Sequence, residues 1–212
     1  MPEAPDAVIT PREQEVLELV RELGIVRGKD LEERGFSRRY LSRLVGKGGL
    51  ERISRGLYGI PDSDVTEHQS FAEIAKLYPD VVVCLLSALQ FHGLTTQMPR
   101  QVWIAIDVDG RVPAKSPVRV RVVRFSGRAL TEGVEMHSIG TVPVQVYSVA
   151  KTVADCFKFR NKIGTDVAVE ALRESLRDRR TSPDELLKFG AICRVEKVMR
   201  PYLEAVVQGS WS

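Results

Sequence analysis

The chain has 212 residues, of which 43% are hydrophobic and 28% are charged, and its formal net charge is +3. This length allows two compact domains of moderate size, and the apolar fraction is sufficient for real hydrophobic cores. We find no signal peptide and no apolar run of membrane-spanning length, so we expect a cytoplasmic protein. The three cysteines, Cys84, Cys156 and Cys193, lie far apart in apolar surroundings, which predicts reduced core thiols rather than disulfides or metal ligands.

Three helices are predicted in the first 47 residues. Thr10, Pro11 and Glu13 supply an N-cap, a proline at the first helical position and a capping-box glutamate, and Gly24 ends this first helix. A shorter helix over residues 28–34 is followed by a turn at Gly35. Residues 37–47 then form the third helix, which we expect Ser37 to cap.

The third helix is predicted to have one apolar and one cationic face. At helical spacing, one side carries Tyr40, Leu41, Leu44 and Val45, and the opposite side carries Arg38, Arg39, Ser42 and Arg43. Such a surface is suited to a polyphosphate. A solvated basic face of a protein–protein module is the alternative interpretation.

A hairpin is predicted directly behind this helix. Residues 50–54 and 57–60 read as strands that flank a tight turn at Arg55 and Gly56. Helix, helix, turn, helix and hairpin together predict a winged helix-turn-helix over residues 1–63, with a polar boundary at 61–64 and a second domain over residues 64–212. In this interpretation Arg52 and Arg55 contact the sugar-phosphate backbone beside the groove that the third helix enters.

Local charge supports a nucleic-acid interface. Between residues 34 and 55 there are seven cations and one acidic residue, a local charge of +6. Arginine can pair bidentately with guanine, whereas Lys47 is better suited to a phosphate. Double-stranded DNA is favoured over RNA, because the A-form major groove is too narrow for a helix. The predicted DNA-binding residues are Ser37, Arg38, Arg39, Ser42, Arg43, Lys47, Arg52 and Arg55.

The remaining chain predicts a mixed α/β domain with a helical C-terminal half, so the whole chain is of the α+β class. A helix is expected over residues 66–78, a buried apolar run over 81–86 and a short helix over 87–92. Strands are predicted over 102–106, 118–125, 135–139 and 142–147. Helices then follow over 148–160, 165–179, 182–190 and 194–207.

Several segments resemble the AbiEi family of bacterial antitoxins. They are SALQFHGLT at 87–95 with QMP at 97–99, SVAKTVADCFKFR at 148–160 running into KIGTDVA at 162–168, and RGLY at 55–58 followed by Pro61. The resemblance extends from about Thr10 to Tyr202.

This resemblance implies an antitoxin of a type IV toxin–antitoxin pair, a class linked to phage defence. Its N-terminal winged helix would bind inverted repeats in the operon's own promoter and repress transcription. Its C-terminal domain would counteract a nucleotidyltransferase-like toxin encoded alongside, without requiring a stable complex. The sequence does not decide between a dimer and separate monomers at such repeats.

The helix predicted over residues 148–160 carries a polar stripe. Lys151, Asp155 and Lys158 follow one another at i, i+4 and i+7 and therefore share one face, with Arg160 nearby. We expect these four residues to form an antitoxin surface. The alternative is a solvated helix face with an ion pair of small value. Ser148 is predicted to cap this helix.

An enzyme is the second function hypothesis: a metal-dependent nucleic-acid-processing enzyme or nucleotidyltransferase with a DNA-binding arm. Asp107 and Asp109 follow an apolar strand, as metal-binding carboxylates do in nucleotidyltransferases. A turn at Gly110 explains them more simply, and no third carboxylate is apparent. The histidines His68, His92 and His137 lack metal-ligand spacing. We therefore expect no catalytic activity, metal or cofactor.

Overall fold

The computed structural model describes residues 8–61, 68–113, 116 and 118–209. Their contacts divide them into two compact units. One comprises the described residues up to Leu77 together with Ser138–Pro143, and the other comprises Tyr78–His137 and the residues from Val144 onwards. Residues 62–64 of the expected boundary lie outside the described residues, and a division at 63/64 stays a prediction.

The first unit begins with three helices and a hairpin. These elements are α1 (Pro11–Leu23), α2 (Gly28–Glu32), α3 (Arg39–Gly46), β1 (Glu51–Ser54) and β2 (Leu57–Gly59), and α4 (Gln69–Leu77) follows. The capping box at the start of α1 is confirmed: the Thr10 hydroxyl accepts from the Glu13 N–H, and the Glu13 carboxylate accepts from the Thr10 N–H. Gly24 ends α1 with a φ of +66°.

The core of this unit lies between α1, α2 and α3. It contains Val16, Leu17, Val20, Val26, Leu31, Leu41, Leu44 and Leu50. β1 and β2 pair antiparallel, and Gly56 occupies their turn with a φ of +83°, which favours a residue without a Cβ. A further antiparallel bridge joins Val26 to Tyr58, so the hairpin is attached to the chain between α1 and α2.

The second unit contains a helical C-terminal half and a five-stranded sheet, apart from residues 138–143 of that sheet, which belong to the first unit. Its elements are β3 (Val82–Val83), α5 (Leu85–Phe91), β4 (Val102–Asp107), β5 (Val120–Phe125), α6 (Arg128–Thr131), β6 (Val134–Ile139), β7 (Val142–Tyr147), α7 (Val149–Lys158), α8 (Arg160–Ile163), α9 (Thr165–Arg177), α10 (Pro183–Ile192) and α11 (Glu196–Gly209). The strand order is β5-β4-β3-β7-β6, with β4 parallel to β5 and antiparallel to β3. The mixed α+β class is confirmed.

The second unit's core is centred on α7, whose residues from Val149 to Phe157 are all buried. α7 contacts α5, α9, α10 and α11. Aromatic and aliphatic side chains from the sheet complete this core, including Trp103, Phe125 and Tyr147. A helix surrounded by other elements has no wide solvent face, and this decides the environment of its polar residues.

Several predicted boundaries differ from the structure. α2 ends at Glu32 rather than at residue 34, and α3 begins at Arg39 rather than at Ser37. The apolar run over residues 81–86 is not one strand, because α5 already begins at Leu85. Residues 66 and 67 of the helix expected at 66–78 lie outside the described residues. Within the described part of the chain, no helix is long and apolar enough to cross a membrane.

Candidate nucleic-acid interface

Helix α3 presents the two faces that the sequence predicts. Leu41 and Leu44 are buried, and Tyr40 and Val45 pack half-buried against the same core. The opposite face is exposed and carries Arg38, Arg39, Ser42 and Arg43. The exposed fraction of the side chain is 77% for Arg38 and 60% for Arg43, so both guanidinium groups are accessible to a ligand.

The start of α3 is built differently from the expected serine cap. Arg38 occupies the N-cap position, and it makes no side-chain capping bond. The Ser37 hydroxyl, one residue earlier, accepts from the Arg39 N–H at 3.3 Å. The Ser42 hydroxyl donates to the Arg39 carbonyl at 3.0 Å and keeps its lone pairs free to accept from a ligand.

The hairpin adds two further exposed arginines to the same unit. Arg52 lies on β1, and Arg55 lies in the turn before Gly56. Among the described residues, neither of them forms an ion pair, and Arg39 also forms none. Arg38 lies 3.8 Å from Glu32, but a pair this exposed contributes little. Most of the predicted cations are therefore available to a polyanion.

Lys47 differs from these arginines because it is engaged within the unit. Its Nζ donates to Glu13 Oε2 at 2.7 Å and to the Val8 carbonyl at 2.8 Å, and its side chain is only 22% exposed. Glu13 itself is fully buried, and its other oxygen lies 3.8 Å from Arg43 Nε. The lysine hydrogen bond and the Thr10 N–H lower the pKa of Glu13 to about 2.

Glu13 is the residue of this interface that the sequence interpretation missed. The capping-box pattern explained its presence at the start of α1, and nothing local indicated a second role. Its contacts with Lys47 and Arg43 join residues 34 and 30 positions apart, which no periodicity reveals.

The expected polar surface on α7 is wrong for Lys151 and Asp155. Both side chains are fully buried and form an ion pair with each other. Lys151 Nζ lies 3.8 Å from the centre of the Tyr147 ring, and Asp155 Oδ1 accepts from Cys193 Sγ at 3.2 Å. Residues spaced i, i+4 share one helix face, whether that face is buried or exposed. In α7 the elements packed around the helix bury it.

The other two residues of that expected surface lie at the end of α7. Lys158 is exposed, and Arg160 is half-buried and donates to the Phe157 carbonyl at 2.9 Å. The capping role of Ser148 is confirmed, because its hydroxyl accepts from the Lys151 N–H. Only Lys158 and Arg160 thus remain as candidate surface residues.

The cysteines are free and buried, as expected. Burial, together with the nearby Asp155 carboxyl, raises the pKa of all three thiols, and the pKa of Cys193 rises to about 12. Burial also raises the pKa of Asp155, although Lys151 opposes this effect. Thiols of this kind stay protonated and pack as small apolar groups.

The acidic pair of the enzyme hypothesis forms a turn. Asp107 Oδ1 accepts from the Asp109 N–H at 3.0 Å, and Arg124 Nη1 donates to the carbonyls of Asp107 and Gly110 at 3.0 and 3.1 Å. Across the described ranges, no three or more His, Cys, Asp or Glu residues form a group that could hold a metal ion.

The histidines have contacts within the second unit or on α4. His92 is buried at the end of α5, and its Nε2 lies 2.7 Å from the Tyr147 carbonyl. Since a carbonyl only accepts, this nitrogen carries the proton. His137 lies 3.3 Å from Glu135, and His68 stacks on Phe71 with ring centres 5.1 Å apart. His92 and His137 lie near each other, with ring centres 6.2 Å apart, and the Glu135 carboxylate lies beside this pair.

Comparisons with known proteins bear on both units. The crystal structure of the RV2827C protein from Mycobacterium tuberculosis is similar to this chain with a TM-score of 0.58 at 16% sequence identity, covering 89% of this chain and 74% of that one. At this identity the similarity concerns the fold alone. No curated protein matches the chain.

The N-terminal segment gives the more specific result. Residues 14–61, which include α2, α3 and the β1–β2 hairpin, match the family model described as "Transcriptional regulator, AbiEi antitoxin". For residues 14–61, this match bears out the resemblance to the AbiEi antitoxin family of transcriptional regulators that the sequence indicated.

Proposed function

We propose that the chain is the antitoxin of a type IV toxin–antitoxin pair, and that it binds inverted repeats in its own promoter and represses its operon. The observation that carries this proposal is the face of α3, where three exposed arginines lie on an otherwise well-packed helix. The segment that contains this face also matches a family of transcriptional regulators. Cytoplasmic location and phage defence are parts of the same proposal.

In this proposal the first unit acts as a winged helix-turn-helix, with α3 as its recognition helix. An α-helix with its side chains is about 10–12 Å across, which fits the B-DNA major groove of about 12 Å. Arg39 and Arg43 lie one turn apart and can approach the O6 and N7 atoms of guanines. Arg38, at the amino end of the helix, is suited to a phosphate. The hydroxyl groups of Ser37 and Ser42 can donate to phosphate oxygens, and they can donate to or accept from base edges.

The hairpin serves as the wing. Arg52 and Arg55 are exposed and free of ion pairs among the described residues, so they can contact backbone phosphates without first breaking an internal bond. Phosphate contacts fix the register of the protein on the duplex, whereas base contacts select the sequence. Dividing the roles between the wing and α3 therefore gives both affinity and specificity.

The test of DNA binding uses the full chain and the duplex upstream of its own gene. We expect specific binding to this duplex, with an affinity at least about 1,000-fold above that for a scrambled duplex of the same length. Log affinity should fall linearly with log salt concentration, as for any protein that displaces counterions from phosphates. Equal affinity for both duplexes would contradict operator recognition, and no binding to either would favour a protein–protein role for the basic face.

The antitoxin part of the proposal concerns the second unit and rests on the family resemblance. Because Lys151 and Asp155 are buried, they support the unit from within and do not contact a toxin. Lys158 is exposed at the end of α7, and Arg160 follows it at the start of α8. We propose these two residues as part of the surface that counteracts a nucleotidyltransferase-like toxin encoded alongside, whether or not a stable complex forms.

The test of antitoxicity is growth rescue when the chain is expressed together with the neighbouring toxin gene. We expect Lys158→Ala/Arg160→Ala to reduce rescue while operator binding is retained. The control Arg173→Ala/Lys197→Ala removes the same two charges from exposed positions of the same unit and should rescue fully. Loss of rescue in Asp107→Asn/Asp109→Asn would instead favour the metal-dependent enzyme.

A further inference from the structure

We propose that Glu13 is a positioning residue of the DNA interface, which holds Lys47 away from phosphate and steadies Arg43 for the groove. This inference rests on the proposed function, because it concerns the surface assigned to DNA. The sequence counts Lys47 among the cations available to DNA, but the carboxylate of Glu13 already pairs with it inside the protein.

The contacts of Glu13 are those of a buried anchor. Its side chain has no exposed surface, and Oε2 accepts from Lys47 Nζ at 2.7 Å and from the Thr10 N–H at 2.8 Å. Oε1 is buried without a hydrogen-bond partner among the described residues and lies 3.8 Å from Arg43 Nε. The carboxylate thus joins the first turn of α1 to the last turn of α3.

Lys47 has a better partner inside the protein than a phosphate offers outside it. To reach DNA, its ammonium group would have to leave a charge-assisted hydrogen bond and the Val8 carbonyl. Its departure would leave a buried carboxylate without its closest cation, and a buried unpaired charge is strongly unfavourable. A solvent-exposed phosphate contact is screened by salt and gives less in return. Lys47 therefore stays with Glu13.

Arg43 is held differently from Lys47. Glu13 lies near its Nε, whereas the side chain is 60% exposed and its guanidinium carbon lies 5.7 Å from the centre of the Tyr40 ring. The carboxylate and the ring restrict the aliphatic part of the side chain. Neither terminal nitrogen bonds to any residue that the structure describes, so both can make a bidentate contact. Glu13 in this way favours an arginine that can read bases over a lysine that binds any phosphate, which raises specificity at the expense of non-specific affinity.

The charge of Glu13 is permanent under physiological conditions. Its pKa is lowered to about 2, so the carboxylate stays ionised throughout the neutral range. The arrangement is therefore a fixed part of the interface and does not respond to pH near neutrality.

The test is a set of salt titrations with non-specific duplex DNA, using the full chain. Glu13→Gln removes the charge but keeps the cap, because a capping box accepts glutamine as well as glutamate. Released Lys47 should then add one phosphate contact and steepen the slope of log affinity against log salt by about 0.9, which is about a 3.5-fold larger loss of affinity between 50 and 200 mM salt. Lys47→Gln should leave the slope of the parent chain unchanged and should cancel the gain in the Glu13→Gln background.

Glu15→Gln is the matched control. It removes one negative charge from the same helix two residues away, where Glu15 is exposed and pairs with Arg12. A slope that steepens equally in Glu13→Gln and Glu15→Gln would overturn the inference, and so would a slope that falls by about 0.9 in Lys47→Gln alone. If the parent chain binds no duplex at all, the proposed function itself fails, which is a different outcome.

Lysine reactivity tests the same inference without any substitution. In the free chain, Lys47 should be acetylated much more slowly than Lys29, whose side chain is 72% exposed, and adding DNA should not protect it further. Lys47 that reacts as fast as Lys29 in the free chain and becomes protected only on DNA would show that it contacts phosphate, and would overturn the inference.

Discussion

Replacing Arg39 and Arg43 together with alanine is expected to abolish specific operator binding while the chain stays folded. Each arginine that contacts a base contributes about 1–3 kcal/mol, so removing both costs about 2–6 kcal/mol of discrimination. If either arginine binds a phosphate instead, the salt slope falls by about one for each phosphate that the variant no longer neutralises. Both side chains are exposed, and neither belongs to the core of the first unit, so the substitutions should have little effect on stability.

The measurement is a salt titration with operator and scrambled duplexes, accompanied by thermal unfolding. The control Arg100→Ala/Arg111→Ala removes two exposed arginines from the second unit and should leave operator affinity almost unchanged. Operator affinity that survives in Arg39→Ala/Arg43→Ala would show that α3 is not the recognition helix. If both double variants lost operator affinity to a similar extent, the loss would reflect the overall charge of the chain and not contacts made by α3.

The features predicted correctly from the sequence depend on neighbours along the chain. The capping box at Thr10 and Glu13, the two faces of α3 and the turn at Gly56 each follow from residues within a few positions of one another. Local hydrogen bonds and helical periodicity decide such features, and tertiary structure has little influence on them. The main elements of the basic segment could therefore be inferred before the fold was known.

The features that could not be predicted depend on contacts between distant segments. Lys47 belongs to the basic segment by position, but a carboxylate 34 residues earlier accepts a hydrogen bond from its ammonium group and leaves the side chain only partly exposed. Lys151 and Asp155 have the spacing of an exposed ion pair, and only the packing of α7 among α5, α9 and α10 places them in the core. The charge of these residues is known from the sequence, but whether they bind an external ligand or an internal partner depends on how deeply the fold buries them.

The ion pair of Lys151 and Asp155 is expected to have the largest effect on stability of any pair in the second unit. Asp155→Asn keeps the shape of the side chain and leaves the Lys151 ammonium fully buried without its counter-ion, although it still faces the Tyr147 ring. Breaking a buried pair in this way costs about 3–5 kcal/mol, a large part of the roughly 5–15 kcal/mol that stabilises a typical domain. The variant should therefore be partly or wholly unfolded in its second unit.

The free energy of unfolding can be measured with urea through the fluorescence of Trp103, which is buried in the second unit, in a Trp211→Phe background. Glu196→Gln is the matched control, because Glu196 and Arg200 form a pair with the same i, i+4 spacing at an exposed position, worth about 0–1 kcal/mol.

Replacing both partners, as in Lys151→Met/Asp155→Leu, should recover most or all of the missing stability, since hydrophobic replacement of a buried pair is often neutral or stabilising. If Asp155→Asn cost no more than Glu196→Gln, water would have to reach Lys151, and α7 would not be the buried centre of the second unit. If the double replacement stayed as unstable as Asp155→Asn, the pair would be required for the packing of α7 itself, beyond the mutual neutralisation of two charges.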